Sequence, residues 1–188
     1  MRYLLKGLWS LGLLSFLTLL SAGDENIIKT IRKRYQSVNQ LIEQCNNVPE
    51  ETAFHEVCPI YHDLLLSNDR GGQFCGPGNH QVVTDLWYDH SVDCNGMGVD
   101  KLIKVYQKET IAAATYNYEY VYDEAGKLIF YFQKGGYEQR EIRFYFNQGK
   151  LIKSIISDPP KGVYAEEVTV TPEAVLKEAK KLYNHLLL

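Results

Sequence analysis

The chain has 188 residues, with 20 Lys and Arg against 23 Asp and Glu and a formal net charge of −3. That mildly acidic balance, with no basic run, excludes the footprint of a nucleic-acid or anionic-membrane binder. No Pro/Ser-rich linker or low-complexity tract divides it, so one domain is expected.

Arg2 and Lys6 precede an almost unbroken apolar run, Leu8 to Leu20, followed by the small residues Ser21-Ala22-Gly23 and then Asp24-Glu25. A basic start, an apolar core short for a bilayer and a small-residue end are the layout of a cleavable secretory signal over 1–23. Its removal leaves a domain over 24–188, about 165 residues, enough to bury a core. The expected location is periplasmic or secreted, with no stable membrane insertion once the signal is gone.

Residues 26–45 read as a helix, with Asn26 as N-cap and Ile28, Ile31, Tyr35, Val38 and Ile42 as one apolar stripe. Pro49 breaks the pattern. A second helix is expected over 50–66, burying Phe54, Val57, Cys58, Tyr61, Leu64 and Leu65. Residues 67–80, rich in glycine, are expected as loop. The four cysteines, Cys45, Cys58, Cys75 and Cys94, form no Cys-x-x-Cys pair, which argues against a zinc ribbon or a redox site. In an exported chain they imply two disulfides in a segment spanning 45–94. Three pairings are open; Cys45–Cys58 with Cys75–Cys94 closes the shortest loops.

From residue 81 the apolar period becomes two. Strands are expected over 81–88, 102–107, 113–122, 128–133, 140–146 and 151–157, with the regular meander over 100–157. One phrase is written twice there. Tyr120-Val-Tyr122-Asp123-Glu-Ala-Gly126-Lys127-Leu128-Ile129 returns as Phe144-Tyr-Phe146-Asn147-Gln-Gly149-Lys150-Leu151-Ile152. Each copy is an aromatic strand, an Asp or Asn turn closed by glycine, and an apolar strand: a hairpin corner. Pro159-Pro160 ends the sheet. Thr171-Pro172-Glu173 opens a last helix with an N-cap hydroxyl, a first-turn proline and an acid, and Val175, Ala179, Leu182, Tyr183 and Leu186 form its apolar stripe. The expected class is α+β: N-terminal helices, an antiparallel meander of about six strands, and a C-terminal helix, with the helices laid on one sheet face.

Alternation puts Tyr116, Tyr118, Tyr120 and Tyr122 on one face. They form either an aromatic platform or, the favoured reading, the side that meets the helices. Leu128, Phe130 and Phe132, with Ile142, Phe144 and Phe146, are expected inward. Tyr131, Glu141, Arg143 and Tyr145 are expected outward, which makes Tyr131, Arg143 and Tyr145 the candidate ligand-binding residues.

The phrase Tyr120-x-Tyr122-Asp123-x-x-Gly126-Lys127-Leu128 resembles the tyrosine–aspartate (YD) repeat unit of Rhs-type bacterial cell-surface and secreted proteins. The second copy departs from it, with Phe for both tyrosines, Asn147 for the aspartate and a turn one residue shorter. The resemblance covers about a fifth of the chain and implies hairpin geometry rather than a function, since a repeat shell needs several neighbours. The whole layout also resembles the small exported α+β proteins of Gram-negative bacteria.

No residue pattern names a reaction. The histidines His62, His80 and His90, with Asp63, have no metal-ligand spacing, no serine sits in a nucleophile elbow, and the glycines form no phosphate loop. No catalytic residue, metal ligand or cofactor is therefore assigned. The leading expectation is an exported, non-enzymatic binding protein for an envelope protein or a glycan. One alternative is a metal-dependent or His/Asp hydrolase built in the 62–93 region. Another is a structural envelope subunit.

Overall fold

Ile28, Ile31, Val38 and Cys45 recur at three- and seven-residue intervals, and all four are buried on one side of a long helix, α1 (Ala22–Asn46). In the computed structural model, residues 22–48, 58–68, 80–92, 98–136, 139–157 and 170–184 are described. The proposed signal core, Cys75, Cys94, His55, His185 and Pro159-Pro160 lie outside them. The helix starts upstream of the expected cap: Asp24 and Glu25 occupy its first turn, where the helix dipole favours acids. Asn26 is therefore inside it, and its carbonyl accepts the Thr30 hydroxyl at 3.1 Å.

Among the described residues seven strands follow: β1 (Ile60–Asn68), β2 (His80–Val92), β3 (Gly98–Ile111), β4 (Ala114–Tyr122), β5 (Leu128–Gly135), β6 (Arg140–Asn147) and β7 (Lys150–Ile156). They form one sheet in chain order, every neighbour antiparallel. The class is α+β as expected, with one more strand. That strand is β1, which takes the second half of the segment expected as a second helix; residues 50–57 of that expectation lie outside the described ones. Tyr61, Leu64 and Leu65 fit a helical stripe, but residues 60–68 instead pair along β2 from Ile60↔Asp89 to Asn68↔Gln81. Pairing with a long neighbour decides the matter where a short apolar run fits either period.

The twin corners form as hairpins. At the first, Asp123 Oδ1 accepts the Ala125 and Lys127 amides at 3.0 and 2.8 Å, and Gly126 takes φ 73°. The second is a two-residue turn with Gln148 at φ 50° and Gly149 at φ 76°, the doubly left-handed type I′ geometry that matches strand twist.

Helices cover both faces of the sheet, which corrects the expectation of a single covered side. The last helix, α2 (Pro172–Asn184), is capped by Thr171, whose hydroxyl accepts the Ala174 amide at 3.2 Å. It packs Val175 and Ala179 on Tyr122, Leu128, Phe144 and Phe146. Tyr122 donates its hydroxyl hydrogen to the Ala179 carbonyl at 2.9 Å. On the opposite face, the first half of α1 packs Ile28 and Ile31 on Val121, Phe130 and Tyr145. Its second half packs Val38 and Cys45 on Ile60, Trp87 and Ile103. A Cys45–Cys58 disulfide, with Cα atoms 5.2 Å apart, ties the end of α1 to the entry of β1, as the shortest-loop pairing anticipated.

Candidate functional site

Pairing builds straight rows of side chains across the α1 face. The first, Trp87–Lys104–Val121–Phe130–Tyr145, crosses β2 to β6 and is wholly buried under α1. Two residues along each strand, Leu64–Asp85–Tyr106–Glu119–Phe132–Arg143–Ile155 crosses all seven strands at the lip of the helix. The next row is Leu66–Val83–Lys108–Asn117–Lys134–Glu141, in which Leu66, Lys108 and Lys134 are exposed. This half of the face therefore runs from buried to open.

The lip is polar and cross-linked. His62 Nε2 lies 2.8 Å from Asp85 Oδ1, and its ring stacks on Trp87 with centroids 4.2 Å apart. Tyr106 donates to Asn117 Oδ1 at 2.6 Å. Lys104 reaches Glu119 Oε2 at 2.6 Å, donates to Asn39 of α1, and sits 5.2 Å above the Tyr35 ring. Burial, and then the Glu119 charge, push the Tyr35 phenol up to about 12. Burial also raises the Tyr106 phenol, with Glu119 and Asp85 adding to it. Arg143 lies 5.3 Å over the Phe132 ring and ion-pairs with Glu141, which also accepts Lys134 at 3.0 Å. The Lys134 hydrogen bond is the largest influence holding the Glu141 carboxyl below its ordinary range; burial opposes it and Arg143 assists.

Of the three residues expected on one open surface, only Arg143 is half-exposed. Tyr131 is 2% exposed on the α2 face, where it donates to Gln133 Oε1 at 2.8 Å. Tyr145 is 4% exposed beneath α1, accepting the Arg32 Nε–H at 3.5 Å. The outward placement of both tyrosines is thus corrected. Near the corners β5 is apolar on both sides, Leu128 to Phe132, because helices cover both sides. A bulge between Val121 and Tyr122 also changes the phase: Tyr122 pairs with Leu128 and Val121 with Phe130. Leu128 therefore joins the α2 face, while Phe130 and Phe132 join the α1 face. The four β4 tyrosines do share a face, and it is the face of α2. Tyr120 and Tyr122 are buried in that core, and Tyr118 packs against it.

Among the described side chains His62 and His80 do not come together; the side chain of His90 lies outside them. His80 lies on the α2 face, 2.8 Å from Glu109, which also accepts the Tyr118 hydroxyl at 2.7 Å. His62 is on the α1 face, while Asp63, next along the strand, points the other way toward Tyr88. Among the described residues no group of three His, Cys, Asp or Glu could hold a metal ion.

No protein-family model, curated protein or solved structure matches the chain.

The row ends on β1, an edge strand of unusual exposure. All of residues 61–67 are exposed, with Leu64, Leu65 and Leu66 at 61%, 40% and 59%. Its only formally charged residue is Asp63. The other edge, β7, carries Lys150 and Lys153, the kind of edge charge that discourages strand addition. The lip row and the β1 edge escaped the sequence reading. The alternation Lys104, Tyr106, Lys108 and Asn117, Glu119 was its one available signal, and it shows no meaning until register aligns the strands.

Among the described residues no helix is long and apolar enough to cross a membrane. The Cys45–Cys58 disulfide is of the kind that persists in oxidising compartments.

Proposed function

We propose that this is an exported, non-enzymatic binding protein that takes an extended segment of an envelope protein along β1, with the adjoining lip of the α1 face as its polar contact. The observation that carries this reading is the β1 edge, unpaired on its outer side among the described residues: a nine-residue strand with three consecutive exposed leucines. An open edge offers backbone hydrogen bonds, and its alternating side chains supply specificity. Leu64 and Leu66 stand on the face that continues through Asp85 and Tyr106 to Arg143 on β6, so an added strand would meet an apolar anchor and the rest of the partner would extend over a charged rim. A protein suits the surface better than a glycan. The rings that would stack a sugar are occupied, Phe132 by Arg143 and Trp87 by His62. Export rests on the basic–apolar–small start and the disulfide.

The test is capture from an envelope extract by the full chain, compared with Leu64→Glu/Leu66→Glu and Arg143→Glu. The double variant is expected to lose at least about tenfold of a stoichiometric partner with its thermal midpoint unchanged, and Arg143→Glu less. Capture by the double variant equal to that of the unaltered chain overturns the reading. Sizing of the purified chain identifies the case in which the added strand belongs to a second copy.

A further inference from the structure

The twice-written corner phrase does more than turn the chain. Together the two corners form one wall of a cleft of about 570 Å³, and α1 forms the other. That volume lies within the range of small-ligand sites. Ile27 from α1 and Ile129 from the sheet, both half-buried, give it an apolar lining, while Ile31 and Phe146 border it with their side chains buried in the core. Arg34 stands on the helix wall, and Asp123 and Glu124 on the corner wall. Asp123 is committed to its corner through two amide hydrogen bonds. The Thr30 hydroxyl is committed to the Asn26 carbonyl. Arg34 and Glu124 are different: among the described residues neither forms a hydrogen bond or ion pair, with each other or with any neighbour. Arg34 is nonetheless half-buried. Two opposite charges thus face one apolar cleft from opposite walls without closing on each other.

We infer that this cleft binds a short apolar peptide carrying both terminal charges, its carboxylate toward Arg34 and its ammonium toward Glu124. Charge-assisted hydrogen bonds at both ends would fix its orientation, and the isoleucine lining would hold its side chains. A simple fatty anion would face Asp123 and Glu124 with nothing to offset them, and a simple cation would face Arg34.

Calorimetric titration of the full chain with Leu-Leu, N-acetyl-Leu-Leu and Leu-Leu-amide tests this. Leu-Leu is expected to bind one-to-one, and each capped form about tenfold or more weaker. Arg34→Gln is expected to weaken Leu-Leu about tenfold and leave the amide unchanged. Glu124→Gln is expected to weaken Leu-Leu and leave the acetyl form unchanged. Leu64→Glu/Leu66→Glu should bind Leu-Leu as the unaltered chain does, which separates the cleft from the β1 edge. No saturable heat at millimolar Leu-Leu, capped forms that bind equally well, or indifference to Arg34→Gln and Glu124→Gln would each overturn the inference.

Discussion

Gly126 and Gly149 occupy matching places in the twin corners and answer to different constraints. Both hold left-handed φ, 73° and 76°. A Cβ on Gly149 would meet nothing within 4 Å, whereas one on Gly126 would lie 2.3 Å from Tyr183 Cζ. Tyr183 of α2 is laid over the first corner, with its ring 5.6 Å from that of Tyr122. Gly149→Ala therefore carries only the backbone cost, about 1 kcal/mol. Gly126→Ala carries that cost and also displaces a ring, so a loss of about 2–3 kcal/mol is expected from denaturant unfolding. Tyr183→Ala in the Gly126→Ala background should make the second loss resemble the first. Equal losses for the two single glycine variants would mean that α2 does not dock on that corner. Lys104 and Glu119 show another local constraint, with side chains only 9% and 14% exposed. Such a pair is weak evidence for stability, but removing one partner strands the other, and Asn39 and Tyr35 help to prevent that.

At the scale of elements, α1 is a diagonal strap fixed at its far end by a covalent bond. Cys45 and Cys58 are separated by 13 residues, and in the chain-entropy view a loop near that size contributes about 3 kcal/mol. Cys45→Ser with Cys58→Ser is expected to lower the unfolding free energy by about that amount. Amide exchange should speed up in the last turns of α1 and at Ile60, while the turn around Ile28 and Ile31 stays protected. Uniform loss of protection along α1 would contradict this two-ended attachment. The pairing was legible in the sequence because short loops close most readily. Six of the strands were legible because their alternation is punctuated by Gly126, Gly135-Gly136 and Gly149. What was not legible has physical causes. Tyr61, Leu64 and Leu65 satisfy a helical stripe as well as a strand, and only β2 decides between them. The bulges at Trp87/Tyr88, Val121/Tyr122 and Tyr145/Phe146 each shift the pairing by a residue, so face assignments made by simple alternation drift out of phase. The lip row depends on the register of seven strands at once.

At the scale of the molecule, the two helices described on opposite faces turn much of the tyrosine content into core. Tyr120, Tyr122 and Tyr131 are 5%, 1% and 2% exposed in one cluster. Burial is the largest influence on each of these phenols and raises all three above their ordinary value of 10.0; Tyr88 and Tyr118 shift the same way, and Tyr35 rises to about 12. The sign follows directly. Below pH 10 these groups are protonated in both the folded and the unfolded chain, so their contribution is fully present. Above pH 10 the unfolded chain releases protons that the folded chain retains, and stability falls until the folded pKa is passed. Each withheld ionisation costs about 1.4 kcal/mol per pH unit for a buried phenol, and Tyr120, Tyr122 and Tyr131 act together. The denaturant midpoint should thus be insensitive to these groups between pH 7 and 9 and fall steeply from pH 10 to 12. Tyrosinate absorbance should develop in two stages: a reversible one near pH 10 from exposed rings, and a later one coincident with loss of near-ultraviolet circular dichroism. A single stage near pH 10, with the dichroism intact, would show that these rings reach water in the folded chain and that α2 does not seal its face of the sheet.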